Sequence, residues 1–181
     1  IFVPNISIGI PVLQSIRAYT DMILDVHLMI TEPERYIDAF ASAGADIINI
    51  HYEATQKHTE IFERIRQLGK TPAVTIKPKT DWHDILPLLK YVDMVLVMSV
   101  EPGFGGQSFI PSSLDTVKAL AEYRRSEKLN FDIEIDGGIN LDNAAEVISA
   151  GVDIVVAGSS VFGKGDLAEQ TDKFMGIVEK R

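Results

Sequence analysis

Leu24-Asp25-Val26-His27-Leu28-Met29 is a run in which apolar and polar side chains alternate. Successive strand residues point to opposite sides, so Leu24, Val26 and Leu28 share one face while Asp25, His27 and Met29 share the other. The same alternation sets Ile48, Ile50 and Tyr52 against Asn49, His51 and Glu53, and Ile133 and Ile135 against Asp132, Glu134 and Asp136. An open parallel sheet covered by helices carries two apolar faces. Here one face stays apolar and the other turns polar towards the carboxyl end of each run. That pattern predicts a barrel with helices outside and a polar site at the top of its lumen.

The surrounding chain supports this. Short β-rich runs are predicted at 23–29, 46–52, 72–77, 93–99, 131–136 and 153–157, separated by helical patterns at 33–43, 59–68, 82–91, 112–127, 141–150 and 168–180. Residues 1–10 read as a loop, and 11–19 as a short helix with Pro at its first turn. Thr31, Asp81 and Ser112 or Ser113 are predicted N-caps, and Gly44, Gly69 and Gly151 are predicted left-handed stops. Ala43-Gly44-Ala45-Asp46-Ile47-Ile48 closely matches Ala150-Gly151-Val152-Asp153-Ile154-Val155, so one helix-to-strand joint is used twice. Alternation of strand and helix calls for an all-parallel sheet. A closed barrel of this kind has eight strands, and six are counted here.

The 181 residues are 46% hydrophobic and 24% charged, with a net charge of −9, and no Lys/Arg-rich run occurs. Nucleic acid is therefore excluded as a partner, because a phosphate backbone would be repelled. No apolar run approaches the roughly 18 residues of a membrane span, so no membrane partner is expected. The chain has no Cys, which rules out thiolate ligands and nucleophiles and fits a reducing cytoplasm. A soluble cytoplasmic protein is expected.

Candidate chemistry gathers at the strand ends. Val97-Met98-Ser99-Val100-Glu101-Pro102-Gly103-Phe104-Gly105-Gly106-Gln107 runs from a strand into a glycine-rich loop whose exposed N–H groups suit an anion such as phosphate. Asp136 ends its strand beside Gly137-Gly138, and Gly158-Ser159 follows the last strand, so three consecutive strand ends carry Gly at the rim. Asp136 beside His27 suits either a divalent-metal site or a general base; a turn-forming Asp-Gly and a structural His are the plain alternatives. His51 reads as structural or as support to another site residue, and His58 and His83 as solvated positions. Lys77 could face an anionic substrate or simply extend to solvent. Met29 and Met98 point the same way as the polar set.

Several of these motifs together resemble ribulose-phosphate 3-epimerase. They are Phe2-Val3-Pro4-Asn5, Asp25-Val26-His27-Leu28-Met29, His51-Tyr52-Glu53-Ala54-Thr55, residues 98–107, Glu134-Ile135-Asp136-Gly137-Gly138-Ile139 and Ala157-Gly158-Ser159, in order over essentially the whole chain. The resemblance implies a TIM (β/α)8 barrel and an isomerase of the pentose phosphate pathway that interconverts D-ribulose 5-phosphate and D-xylulose 5-phosphate. It implies His27 and Asp136 as ligands of one divalent ion (Zn, Fe, Mn or Co), with Asp136 also moving a proton at C3. It further implies substrate contacts from His27, Gly103, Phe104, Gly105, Gly106, Asp136, Gly137, Gly138, Gly158 and Ser159, with Met29 and Met98 lining the reacting centre.

In that family a strand, a helix and a second strand precede Phe-Val-Pro-Asn and carry a second metal His and an opposite-face Asp. Nothing of this kind precedes Phe2 here. The expectation is one barrel domain over 1–181 lacking the N-terminal β-α-β segment, part of a longer chain and catalytically incomplete alone. Rival readings are an allulose-6-phosphate 3-epimerase, a non-catalytic sugar-phosphate binder, and another phosphate-binding barrel enzyme such as a decarboxylase or aldolase. A small sugar phosphate is the expected partner, and homo-oligomerisation is left open.

Overall fold

Six short runs rich in Ile and Val become six parallel strands, each hydrogen-bonded to the next in chain order. They are β1 (Asp25–Leu28), β2 (Ile47–His51), β3 (Thr71–Ile76), β4 (Met94–Met98), β5 (Asp132–Asp136) and β6 (Ile154–Val156). The computed structural model describes residues 2–4, 8–163 and 165–179. Ile1 of the predicted first loop, Asn5 of the quoted Phe-Val-Pro-Asn motif and Lys180 at the predicted end of the last helix lie outside them. The sheet curls into an incomplete barrel, and among the described residues β1 and β6 each pair with a single neighbour.

Among the described residues the α-helices are α1 (Ile10–Arg17), α2 (Ile37–Ala43), α3 (His58–Gln67), α4 (Ser113–Ser126), α5 (Ala144–Ser149), α6 (Ser159–Phe162) and α7 (Leu167–Val178). The strands divide the apolar residues as their alternation requires. Leu28, Ile48, Ile50, Val74, Ile76, Val95, Val97, Ile133 and Ile135 join one buried cluster with Ile37, Phe62, Ile65, Val117, Leu120 and Val147 of the helices. Leu96, Met98 and Val100, with Met29 against them, form a second, smaller cluster inside the curl. The main core thus sits between sheet and helices, and the inner side is left for polar groups.

Several helix ends differ from expectation for local reasons. The predicted helix at 33–43 is split into a 3-10 turn (Pro33–Arg35) and α2, and Glu32, left-handed at φ 50°, takes the N-cap place predicted for Thr31. Trp82–Tyr91 is 3-10 throughout, and Pro87 inside it has no N–H to give an α-helical bond. Asp81 caps it as expected, accepting from the His83 N–H at 3.0 Å. Ser112 is the N-cap residue of α4 but makes no side-chain capping bond. The helix predicted at 141–150 begins only at Ala144, because Asn140 and Asn143 tie the preceding turn: Asn143 Oδ1 accepts from Asn140 N–H and Asn140 Oδ1 from Asp142 N–H, each at 2.8 Å. Gly44, Gly69 and Gly151 stop their helices at φ 110°, 71° and 112°.

The repeated joint is repeated in its bonding. Asp46 Oδ2 accepts from Arg17 Nη1 at 2.7 Å and from the Leu24 N–H at 2.9 Å. Asp153 Oδ2 accepts from Arg124 Nη1 at 2.5 Å and from the Ile133 N–H at 2.9 Å. In both places one carboxylate ties the start of its strand to the preceding strand and to the helix that comes before that strand.

On the inner side, polar residues are paired between neighbouring strands and across the curl. Thr75 Oγ1 donates to Asn49 Oδ1 at 2.6 Å, and both residues are fully buried. Glu134, 3% exposed, and Asp25 share a hydrogen bond between their carboxyl groups, linking β5 to β1 across the lumen. Burial raises the pKa of both, and the negative charge of Asp25 raises Glu134 further. A proton therefore sits between the two at neutral pH.

Two outcomes follow from these contacts. Asp46→Ala should destabilise the fold by about 1–2 kcal/mol in urea unfolding, less than a buried charged hydrogen bond because the site is partly open to water. The folded state holds a proton on the Asp25–Glu134 pair that the unfolded chain releases above the ordinary carboxylate range. Stability should then fall as pH rises from about 5 to about 8, and Glu134→Gln, an imitation of the protonated form, should flatten that slope. An unchanged slope in urea midpoints would count against the shared proton.

Candidate active site at the carboxyl ends of the strands

Beyond the carboxyl end of β4 the chain enters the glycine-rich loop, and hydrogen bonds hold both of the loop's ends. Ser99 N–H donates to Asp136 O at 2.8 Å and Ser99 Oγ to Gly137 O at 2.7 Å, which joins the ends of β4 and β5. Ile110 N–H donates to Ser99 O at 2.9 Å and closes the far side. Gln107 Nε2 clamps the loop from within, donating to Glu101 O at 2.7 Å and Phe104 O at 2.8 Å. Gly138 is required by a close approach: at φ 66° a Cβ there would stand 2.4 Å from the Phe109 backbone nitrogen.

The result is a cavity of about 300 Å³ lined by Met29, Met98, Gly103, Phe104, Gly105, Gly106, Asp136, Gly137, Gly138, Gly158 and Ser159, with Val100, Pro102, Gln107, Ile139 and Val156. Every residue picked from the sequence for this site is here except His27. Phe104 stands at the lip, 61% exposed. Among the described residues lining the cavity, Asp136 is the one carboxylate, and burial raises its pKa.

His27 is not among the lining residues; its Nδ1 is 4.0 Å from Asp136 Oδ2. Burial, and then neighbouring His51, lower its pKa to about 3, so it is a neutral imidazole. Its Nε2 is 2.8 Å from His51 Nε2. His51 is fully buried, and its Nδ1 lies 3.2 Å from Glu53 Oε2. The other Glu53 oxygen accepts from the Lys77 N–H at 2.9 Å and from the Thr80 hydroxyl. Burial alone would raise the Glu53 pKa, but the bonds from His51, Thr80 and the Lys77 amide lower it to about 2. The Lys77 ammonium covers the Phe2 ring, 4.1 Å from its centroid, and Lys77 is not among the residues lining the cavity.

His58 departs from expectation. Read as solvated, it is buried, stacks on Tyr52 and shares a 2.7 Å hydrogen bond with Tyr52 O. His83 is exposed as expected and bonds Asp81. Glu53 escaped the sequence reading because its partners, Lys77 and Thr80, lie 24 and 27 residues away. A signal for Asp25 and Glu134 was present: each stands two places before a site residue on the same strand face.

His27 Nδ1 and Asp136 Oδ2 are a nitrogen and an oxygen facing one another beyond hydrogen-bond distance, as two ligands of one cation would. They fit part of a divalent-metal site; among the described residues no group of three or more His, Cys, Asp or Glu that could hold a metal is found.

Comparison with known proteins agrees with this geometry. The family model described as the ribulose-phosphate 3 epimerase family matches residues 1–162. The ribulose-phosphate 3-epimerase of Mycobacterium tuberculosis is 45% identical over 167 residues, covering 92% of this chain and 73% of that protein. That of Bacillus subtilis is 43% identical over 176 residues, covering 97% and 81%. Among solved structures, the 3-keto-L-gulonate-6-phosphate decarboxylase from Vibrio cholerae superposes with a TM-score of 0.75 at 14% identity, over 95% of this chain and 79% of that one. The 3-hexulose-6-phosphate synthase from Salmonella typhimurium gives a TM-score of 0.73 at 17% identity, over 95% and 81%. At such identities these two structures speak for the fold, an incomplete TIM barrel, and the sequence matches settle the family: this chain belongs to the ribulose-phosphate 3-epimerases.

Proposed function

We propose that this protein is an isomerase that interconverts D-ribulose 5-phosphate and D-xylulose 5-phosphate by moving a proton at C3, a step of pentose phosphate metabolism. The observation that carries the reading is the placement of Asp136 in a glycine-lined cavity of a chain 45% identical to curated ribulose-phosphate 3-epimerases. Asp136 takes or returns the C3 proton on one face of the ketose. Its pKa, raised by burial, brings it nearer the working pH of a general base. Gly103, Gly105, Gly106, Gly158 and Ser159 offer backbone N–H groups to the phosphate. Gly137 and Gly138 hold the chain close beside Asp136, Phe104 covers the sugar, and Met29 and Met98 exclude water.

His27 and Asp136 would hold a divalent ion (Zn, Fe, Mn or Co), which when bound supplies positive charge to the ketose oxygens as the proton leaves. Transfer across both faces needs a second proton carrier, which this reading places outside the described cavity lining. Residues 1–181 act as one barrel domain in it. A cytoplasmic setting fits a chain without Cys; among the described residues no helix is long and apolar enough to cross a membrane.

Incubating the full-length protein with ribulose 5-phosphate in D2O should yield xylulose 5-phosphate carrying deuterium at C3. Asp136→Asn should lower kcat by about 10²–10⁴-fold with a smaller change in KM. Saturable binding of the sugar phosphate without exchange at C3 would instead identify a non-catalytic binder. A higher kcat/KM for allulose 6-phosphate would move the substrate to the hexulose series.

A further inference from the structure

We infer that Glu53, acting through His51, sets the tautomer of His27 so that its Nδ1 lone pair is the one presented to Asp136. This rests on the reading of His27 as a metal ligand, and it assigns Glu53 and His51 as positioning residues.

The argument is one of donors and acceptors. The 2.8 Å contact between His27 Nε2 and His51 Nε2 holds a single proton, because two lone pairs or two N–H groups would repel at that distance. The 3.2 Å contact between His51 Nδ1 and Glu53 Oε2 places an acceptor-only carboxylate against Nδ1, so Nδ1 carries hydrogen. His51 is 0% exposed, which disfavours a second proton and a charged ring. Its Nε2 is then a bare acceptor, and the proton in the His27–His51 contact belongs to His27 Nε2. By elimination His27 Nδ1 is bare. It lies 4.0 Å from Asp136 Oδ2, beyond the reach of a hydrogen bond and open to a cation.

Glu53 is itself oriented. Its Oε1 accepts from the Lys77 N–H and the Thr80 hydroxyl, so only Oε2 is turned to His51. The relay therefore begins at the backbone after β3, passes through β2 and ends on β1. Outer partners of this kind fix the ring orientation and tautomer of metal-binding histidines.

The same geometry dictates an inversion. In Glu53→Gln the amide oxygen must still face the Lys77 N–H and the Thr80 hydroxyl, so the amide NH₂ turns to His51 Nδ1 and donates. His51 then carries its proton on Nε2 and donates to His27 Nε2, and the His27 proton moves to Nδ1. The lone pair facing Asp136 is lost with no change of side-chain shape.

Long-range ¹H–¹⁵N spectra of the histidine-labelled protein near neutral pH test this, with His27 and His51 assigned from His27→Gln and His51→Gln. The expected wild-type signature is Nε2–H with bare Nδ1 on His27, and Nδ1–H with bare Nε2 on His51. Glu53→Gln should show the reverse on both rings and bind Zn(II), in competition with a chromophoric chelator, about 10–100-fold more weakly. A wild-type His27 protonated on Nδ1, a doubly protonated His51, or an unchanged tautomer in a folded Glu53→Gln would each overturn the inference. The wild-type spectrum decides even if that variant does not fold. If the expected wild-type tautomers appear but Zn(II), Mn(II) and Co(II) all fail to bind, the relay stands and the metal-ligand role of His27 falls.

Discussion

Each strand of this sheet must bury one row of side chains under helices and turn the other row into the curl, where a polar atom left without a partner is costly. The rest of the molecule follows from that division. The outward row is almost wholly Ile, Leu and Val and holds the main core. Because that row carries the packing, the inward row is free to be chemical. Its groups satisfy one another: Thr75 with Asn49, Asp25 with Glu134, His27 with His51. The exception among the described residues is Asn49 Nδ2, which is buried with no partner.

The inward pairs also form tiers. Asp25 and Glu134 lie two residues before His27 and Asp136 on the same strands, so a proton-sharing pair stands one tier below them. That pair spans the lumen from β5 to β1, and the His27–His51 contact ties β1 to β2. Asp136 is bonded through its carbonyl to Ser99, where β4 gives way to the glycine loop. The two groups at the centre of the proposed chemistry are thus carried on strands joined both along the sheet and across it. The backbone lining the cavity, by contrast, comes largely from loops, where glycine allows close approach.

Much of this was legible in the chain. Period-two alternation placed the strands to within two residues and separated their faces. The twice-used Ala-Gly-x-Asp-Ile joint announced a repeated unit, and both copies make the same carboxylate bonds. The motifs around His27, the glycine loop and Asp136 identified the family, and the residues they named line one cavity except His27, whose Nδ1 is 4.0 Å from Asp136 Oδ2. What misled were single residues whose environment is set from afar. His58 looked solvated because its own helix is polar, yet Tyr52 covers it. The helical pattern at 82–91 was right in extent, and its winding is 3-10.

By itself the sequence determined the strand–helix alternation, the apolar and polar faces and the family, because all three are written in local spacing and in contiguous motifs. Tertiary structure alone decided which atom of His27 faces Asp136, where Glu53 acts, and that Asp25 and Glu134 share a proton. These depend on contacts between residues 24 to more than 100 positions apart along the chain. Hydrogen-bond direction and proton sharing arise only when such groups are brought within about 3 Å of one another.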